Sequence, residues 1–200
     1  MLDSKIRGWW DKLMRPVGRV VGRAPFGPNA ITVIGVVVQG AVAVLIIDGR
    51  LVAAGLITIV AALLDTLDGA VAKAQGQVTK FGAFLDSTTD RLSDALCFVP
   101  IAWLYGVNPD IEAHDEPWVA AMALVALVAS FLVSYVKARA EALGFDCRVG
   151  IAERAERLIL VIVALVFSDI LPALITLLAA LSVITVVQRV AHVYKQARAI

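Results

Sequence analysis

Asp65-Thr-Leu-Asp68-Gly69-Ala-Val-Ala72-Lys73 and, after a short gap, Gly82-Ala-Phe-Leu-Asp86-Ser-Thr-Thr-Asp90 set four carboxylates among glycines inside otherwise apolar sequence. Residues three or four apart share a helical face, so Asp65 pairs with Asp68 and Asp86 with Asp90. A carboxylate at a helix centre in a bilayer costs roughly 2.5–3.5 kcal/mol on insertion scales. Four such groups facing one another would repel, and some would be driven to protonate. Divalent cations remove that conflict. Hard ions such as Mg²⁺ take carboxylate oxygens and keep further positions for phosphate oxygens.

The surrounding chain reads as an all-α integral membrane protein. Of its 200 residues 60% are hydrophobic and 18% charged, and the mean hydropathy is +0.85. Apolar runs at about 30–47, 51–72, 91–106, 117–136, 155–168 and 170–188 predict six membrane helices. Compact breakers separate them, among them Asp48-Gly49-Arg50 and Asn108-Pro109-Asp110. Six spans return both termini to one side. Of 18 Lys and Arg residues, 17 fall in the amino-terminal segment, the second-to-third and fourth-to-fifth connections, and the tail. Arg50 alone lies opposite, on the side of the acidic loop that holds Asp110, Glu112, Asp115 and Glu116. This positive-inside bias predicts cytoplasmic termini in a multi-pass protein of the cell membrane.

Segment 4–15 sets Ile6, Trp9, Trp10 and Leu13 against Lys5, Arg7, Lys12 and Arg15, the pattern of an in-plane amphipathic helix whose simplest role is anchorage. The chain thus divides into an amphipathic juxtamembrane segment, 1–27, and a six-helix domain, 28–200. The basic start is no cleavable leader. Cys97 and Cys147 form no disulfide framework and read as free thiols. His114 and His192 lack ligand spacing and read as surface residues.

Residues 51–64 make 14 residues, about 21 Å of helix, which sets Asp65 inside a hydrocarbon layer of about 30 Å. The run from Arg91 to Gly106 is of similar length, so Asp90 lies at the same depth. Two neighbouring spans therefore present their acids at one level, and a shared metal site follows. Gly69 lets a backbone or phosphate come close, and Gly76 and Gly82 suit the turn between the helices. Tight packing through small residues is the competing explanation for the glycines taken alone.

The spacing D-x2-D-G-x2-A-K-x8-G-x3-D-x3-D from Asp65 to Asp90 resembles the signature of the CDP-alcohol phosphotransferases. These are integral membrane enzymes that join an alcohol to a CDP-activated lipid or polyol. One position departs, since the family usually has arginine where this chain has Lys73. Lysine keeps the charge but loses the bidentate fork for a diphosphate. Ser134-Tyr-Val-Lys137-Ala-Arg139, Ile151-Ala-Glu153-Arg154-Ala-Glu156-Arg157 and Val187-Gln188-Arg189 are similar to the actinobacterial phosphatidylinositol-phosphate synthase branch.

The resemblance implies two ions, Mg²⁺ or Mn²⁺, held by Asp65, Asp68, Asp86 and Asp90, with Asp90 also the general base. It implies CDP-diacylglycerol as donor, inositol phosphate as acceptor, CMP as leaving group, and a homodimer. An acceptor hydroxyl of high pKa needs a base within reach. Metals flanking a phosphoryl centre stabilise attacking and leaving oxygens together. The nucleotide and diphosphate would meet Pro28, Asn29, Thr32, Asp68, Gly69, Ala72, Lys73 and Gly82, although Pro28 and Asn29 also make an ordinary helix start. The acceptor phosphate would meet Lys137, Arg154, Arg157 and Arg189, because guanidinium donors match phosphate oxygens in pairs. Glu153 and Glu156 are competing partners for these arginines. Arg139 and Arg148 are assigned to membrane orientation.

Two alternatives compete. A cation transporter also places acids in the membrane, but its polar groups should continue to the outer face, where 51–64 and 158–167 are apolar. Within the enzyme class, glycerol phosphate or a second lipid would replace inositol phosphate as acceptor.

Overall fold

The computed structural model describes residues 27–76, 78–107 and 116–199. The amphipathic segment 4–15 and His114 lie outside the described residues. Among those described there are six α-helices and no strand: α1 (Pro28–Ile47), α2 (Leu51–Gln75), α3 (Lys80–Gly106), α4 (Pro117–Ala142), α5 (Arg154–Val166) and α6 (Leu171–Ala197). A 3-10 turn, Ser168–Ile170, joins the last two.

Local chemistry sets the ends. Prolines open α1, α4 and α6, where a missing N–H costs no helical hydrogen bond. Gly76 ends α2 at φ +66°, a left-handed conformation that glycine adopts without strain. Thr79 caps α3 by accepting the Gly82 N–H at 2.9 Å. This tight connection starts α3 at Lys80, well ahead of the apolar run at 91, so that Asp86 and Asp90 both stand on helix.

Among the described residues, four helical stretches are long and apolar enough to cross a membrane: Pro28–Ile47, Leu51–Lys73, Pro117–Ala142 and Ser168–Ala197. Their outward side chains include Val37, 69% exposed, and Val187, 61% exposed, as lipid-facing residues should be. Charges fill the first turns of α3, and α5 has only 13 residues, about 20 Å. The chain is a multi-pass membrane protein, helical throughout the elements of its described residues.

The closest packing runs in a closed circuit: α1 on α2, α2 on α5, α5 on α6, α6 on α4, α4 on α3, and α3 back on α1. At one end of this ring the interior is solid. Val42, Ile46, Ile101, Leu104, Val119 and Leu165 are 0–1% exposed there. Gly55 seats α2 against α5, since a Cβ at that position would lie 2.7 Å from Val166 Cγ2 and 3.1 Å from the Val166 backbone nitrogen. At the other end α2 and α3 face each other across an opening that also receives the starts of α1 and α5.

Candidate active site

Carboxylate oxygens of Asp65 and Asp68 on α2 and Asp86 on α3 lie within 4.8 Å of one another. Thr32 of α1 donates its hydroxyl hydrogen to Asp68 Oδ2 at 2.5 Å and also approaches the Pro28 carbonyl at 3.2 Å. It thereby fixes how Asp68 points. Asn29, one turn earlier, stands beside Gly82: a Cβ on Gly82 would lie 3.6 Å from Asn29 Oδ1. Of the expected nucleotide-side residues, Thr32 thus meets an aspartate, while Asn29 and Gly82 lie against each other. A side chain at Gly69 would point into open space, with nothing within 4 Å. Ala72 is half-buried, and Lys73 is exposed at the end of α2.

Asp90 is held differently. Arg154, the first residue of α5, grips Asp65 with both nitrogens, Nη1 to Oδ2 at 2.7 Å and Nη2 to Oδ1 at 3.3 Å. The same Nη1 lies 2.6 Å from Asp90 Oδ1. That Asp90 oxygen is buried and accepts no hydrogen bond of good geometry. An all-oxygen set of three converging carboxylates, with a fourth carboxylate oxygen left without a hydrogen bond, suits a hard divalent cation. A small pocket continues beneath the acids, lined by Thr32, Gln39, Thr58, Asp65, Ser93 and Arg154 among others. Gln39 donates to Cys97 Sγ at 2.8 Å. Both cysteines are free, as expected, and both are buried.

The remaining basic residues are brought less close. Arg157 is 4% exposed; it donates to Asp94 Oδ2 at 3.1 Å and to the Ala152 carbonyl at 3.4 Å. Arg189, 3% exposed, donates to the carbonyls of Val133 at 2.5 Å and Val149 at 2.8 Å, and lies 3.9 Å from Glu153. Lys137 is half-buried near the end of α4, with its charge felt at Cys147. Arg148 pairs at the surface with Asp146.

Sequence reasoning missed Asp94. Its signal was available, since Asp86, Asp90 and Asp94 recur every four residues on one face of α3. Also missed were Thr185 and Gln196 of α6, which strap down the segment preceding Arg154. Thr185 accepts the Ala152 N–H at 3.0 Å, while Gln196 donates to the Asp146 carbonyl at 2.6 Å and accepts the Asp146 N–H at 3.0 Å.

Comparison with known proteins agrees with this geometry. A family profile for CDP-alcohol phosphatidyltransferases matches residues 26–188. A phosphatidylinositol phosphate synthase of Corynebacterium glutamicum is 39% identical over 184 residues, covering 88% of this chain and 82% of that protein. The solved Mycobacterium tuberculosis phosphatidylinositol phosphate synthase with CDP-DAG bound superposes with a TM-score of 0.82 at 35% identity, over 92% of this chain and 94% of the other. The same enzyme in complex with manganese and citrate gives 0.80 at 36% identity, over 90% and 88%. With Asp65, Asp68 and Asp86 of the acidic motif converging at one mouth and the family profile matched over residues 26–188, this chain belongs to the CDP-alcohol phosphatidyltransferase family.

Proposed function

We propose that the chain moves the phosphatidyl group of CDP-diacylglycerol onto a hydroxyl of inositol phosphate, releasing CMP. The observation that carries this is the convergence of the Asp65, Asp68 and Asp86 oxygens to within 4.8 Å at an opening where Thr32 and Arg154 also arrive. A transporter is disfavoured by the solid apolar interior beyond it.

In this reading all six helices cross the plasma membrane, α3 and α5 with charged, recessed cytoplasmic ends. The termini and the site face the cytoplasm, and the protein works as a homodimer anchored by segment 1–27. Asp65, Asp68, Asp86 and Asp90 would hold two divalent ions, Mg²⁺ or Mn²⁺. Such ions, when bound, neutralise the donor diphosphate and stabilise charge on the attacking and leaving oxygens. Thr32 keeps Asp68 turned to that task, and the space over Gly69 admits the diphosphate. Asn29 and Gly82, with Pro28, Ala72 and Lys73, border the nucleotide. Asp90 takes the proton of the acceptor hydroxyl as the new oxygen–phosphorus bond forms and the bond to CMP breaks. Arg154 and Lys137 meet the acceptor phosphate from the α4 and α5 side. Arg157 and Arg189 support them from behind, each already bound to protein acceptors. The acyl chains leave sideways into the inner leaflet.

Purified protein in vesicles, given CDP-diacylglycerol with equal inositol phosphate and glycerol phosphate, tests the assignment. Divalent-ion-dependent CMP release with label entering lipid from inositol phosphate is expected. Consumption of glycerol phosphate alone would replace the acceptor, and ion flux without CMP release would replace the enzyme by a transporter.

A further inference from the structure

We infer that the Arg154 guanidinium stands in the second cation position of this site, between Asp65 and Asp90, and that a second divalent ion binds there only by displacing it. The inference rests on the metal site and acceptor phosphate proposed above and adds an order of events to them. Three acids converge on one another, and Asp90 is not among them. Asp90 and Asp65 are instead bridged by one guanidinium, at 2.6 Å and 2.7 Å. Both oxygens of Asp65 are engaged by that fork. An ion that takes an Asp65 oxygen and reaches Asp90 must therefore break the pair, because a second positive charge at that distance would repel the first.

The structure leaves Arg154 free to yield. Its side chain is 35% exposed at the mouth, whereas the backbone leading to it is fixed by the Thr185, Arg189 and Gln196 contacts to residues 146–152. The helix start stays put and the long side chain swings. Once displaced, the guanidinium lacks an anion, and a phosphate monoester supplies one with matching bidentate geometry. Loading of the second ion and arrival of the acceptor phosphate thereby favour each other, as linkage requires.

Full-length protein in detergent, titrated with Mn²⁺ and read by electron paramagnetic resonance without substrates, tests this. Wild type should bind one ion tightly and a second more weakly. Arg154→Gln should tighten the second by about tenfold, a usual size for coupled sites, while retention of the first reports a folded site. Inorganic phosphate should tighten the second ion in wild type and not in Arg154→Gln. Two equal ions in wild type, unmoved by Arg154→Gln, would overturn the exchange, and an equal phosphate effect in both proteins would overturn the coupling. Mn²⁺ binding indifferent to Asp68→Asn would remove the metal site itself, and the exchange with it.

Discussion

Breaking the ion pair between Asp94 and Arg157 should unfold this protein several degrees early, without first touching its chemistry. The two charges stand 3.1 Å apart. At an effective dielectric of about 20 that separation corresponds to roughly 5 kcal/mol of Coulomb attraction before desolvation is subtracted. Removing one partner of a buried pair typically costs about 3–5 kcal/mol, because the other charge is stranded. Arg157 is 4% exposed but the Asp94 side chain is 21% exposed, so water relieves part of the loss. We expect about 2–3 kcal/mol for Asp94→Asn or Arg157→Gln. In a chain of this size that lowers Tm by about 4–12 °C. The assay is thermal unfolding in detergent of both single variants and the double. The double should be no worse than the worse single, since each removes the same interaction. Additive losses would refute the pairing. So would a silent Asp94→Asn beside an Arg157→Gln that raises only the acceptor KM, which would make Arg157 a phosphate ligand and not a strut.

Other outcomes follow from the same geometry. Asp90→Asn should lower turnover by at least about a hundredfold while sparing donor binding, and unchanged turnover in a CMP-release assay would remove Asp90 as the base. Thr32→Val should weaken donor binding by freeing Asp68 from its 2.5 Å hydrogen bond; equal donor affinity by calorimetry would show that the bond does not orient the acid. Gly150→Ala places a Cβ 2.5 Å from Thr185 Cγ2 at φ +139°, so a loss of about 1–3 kcal/mol in thermal unfolding is expected, and an unshifted Tm would contradict it. Cys147 is 0% exposed and its thiol is raised by burial. At neutral pH it is therefore protonated and should label slowly with maleimide, the rate rising only as the pH climbs toward that raised pKa. Arg189→Gln, which releases the Val149 carbonyl, should speed the labelling; a wild-type rate equal to free cysteine would refute the packing.

The four aspartates and the turn at Gly76 follow from local sequence, because each depends on residues within one or two helical turns. A common level was legible too: counting in from Leu51 and back from Gly106 set Asp65 and Asp90 abreast, and one guanidinium bridges them. The start of α3 was hidden, since the apolar run begins at Arg91 while Thr79 sets the first helical turn. The partners of the arginines were hidden for a different reason. Glu153 and Glu156 are neighbours in sequence, but Arg154 and Arg157 reach Asp65, Asp90 and Asp94 on other helices. Only the order of the helices around the ring decides that, and no spacing along the chain records it. Arg189 carries the same lesson, a cation at a helix end whose hydrogen bonds go to the carbonyls of Val133 and Val149.

The packed aliphatic plug formed by Val42, Ile46, Ile101 and Leu104 has a consequence for membrane asymmetry. A bilayer-sized molecule with one blind end can draw reagents and discharge products on a single side only. On the proposed function, every headgroup would then be completed in a single monolayer, and the fold itself offers no route for it through the plug.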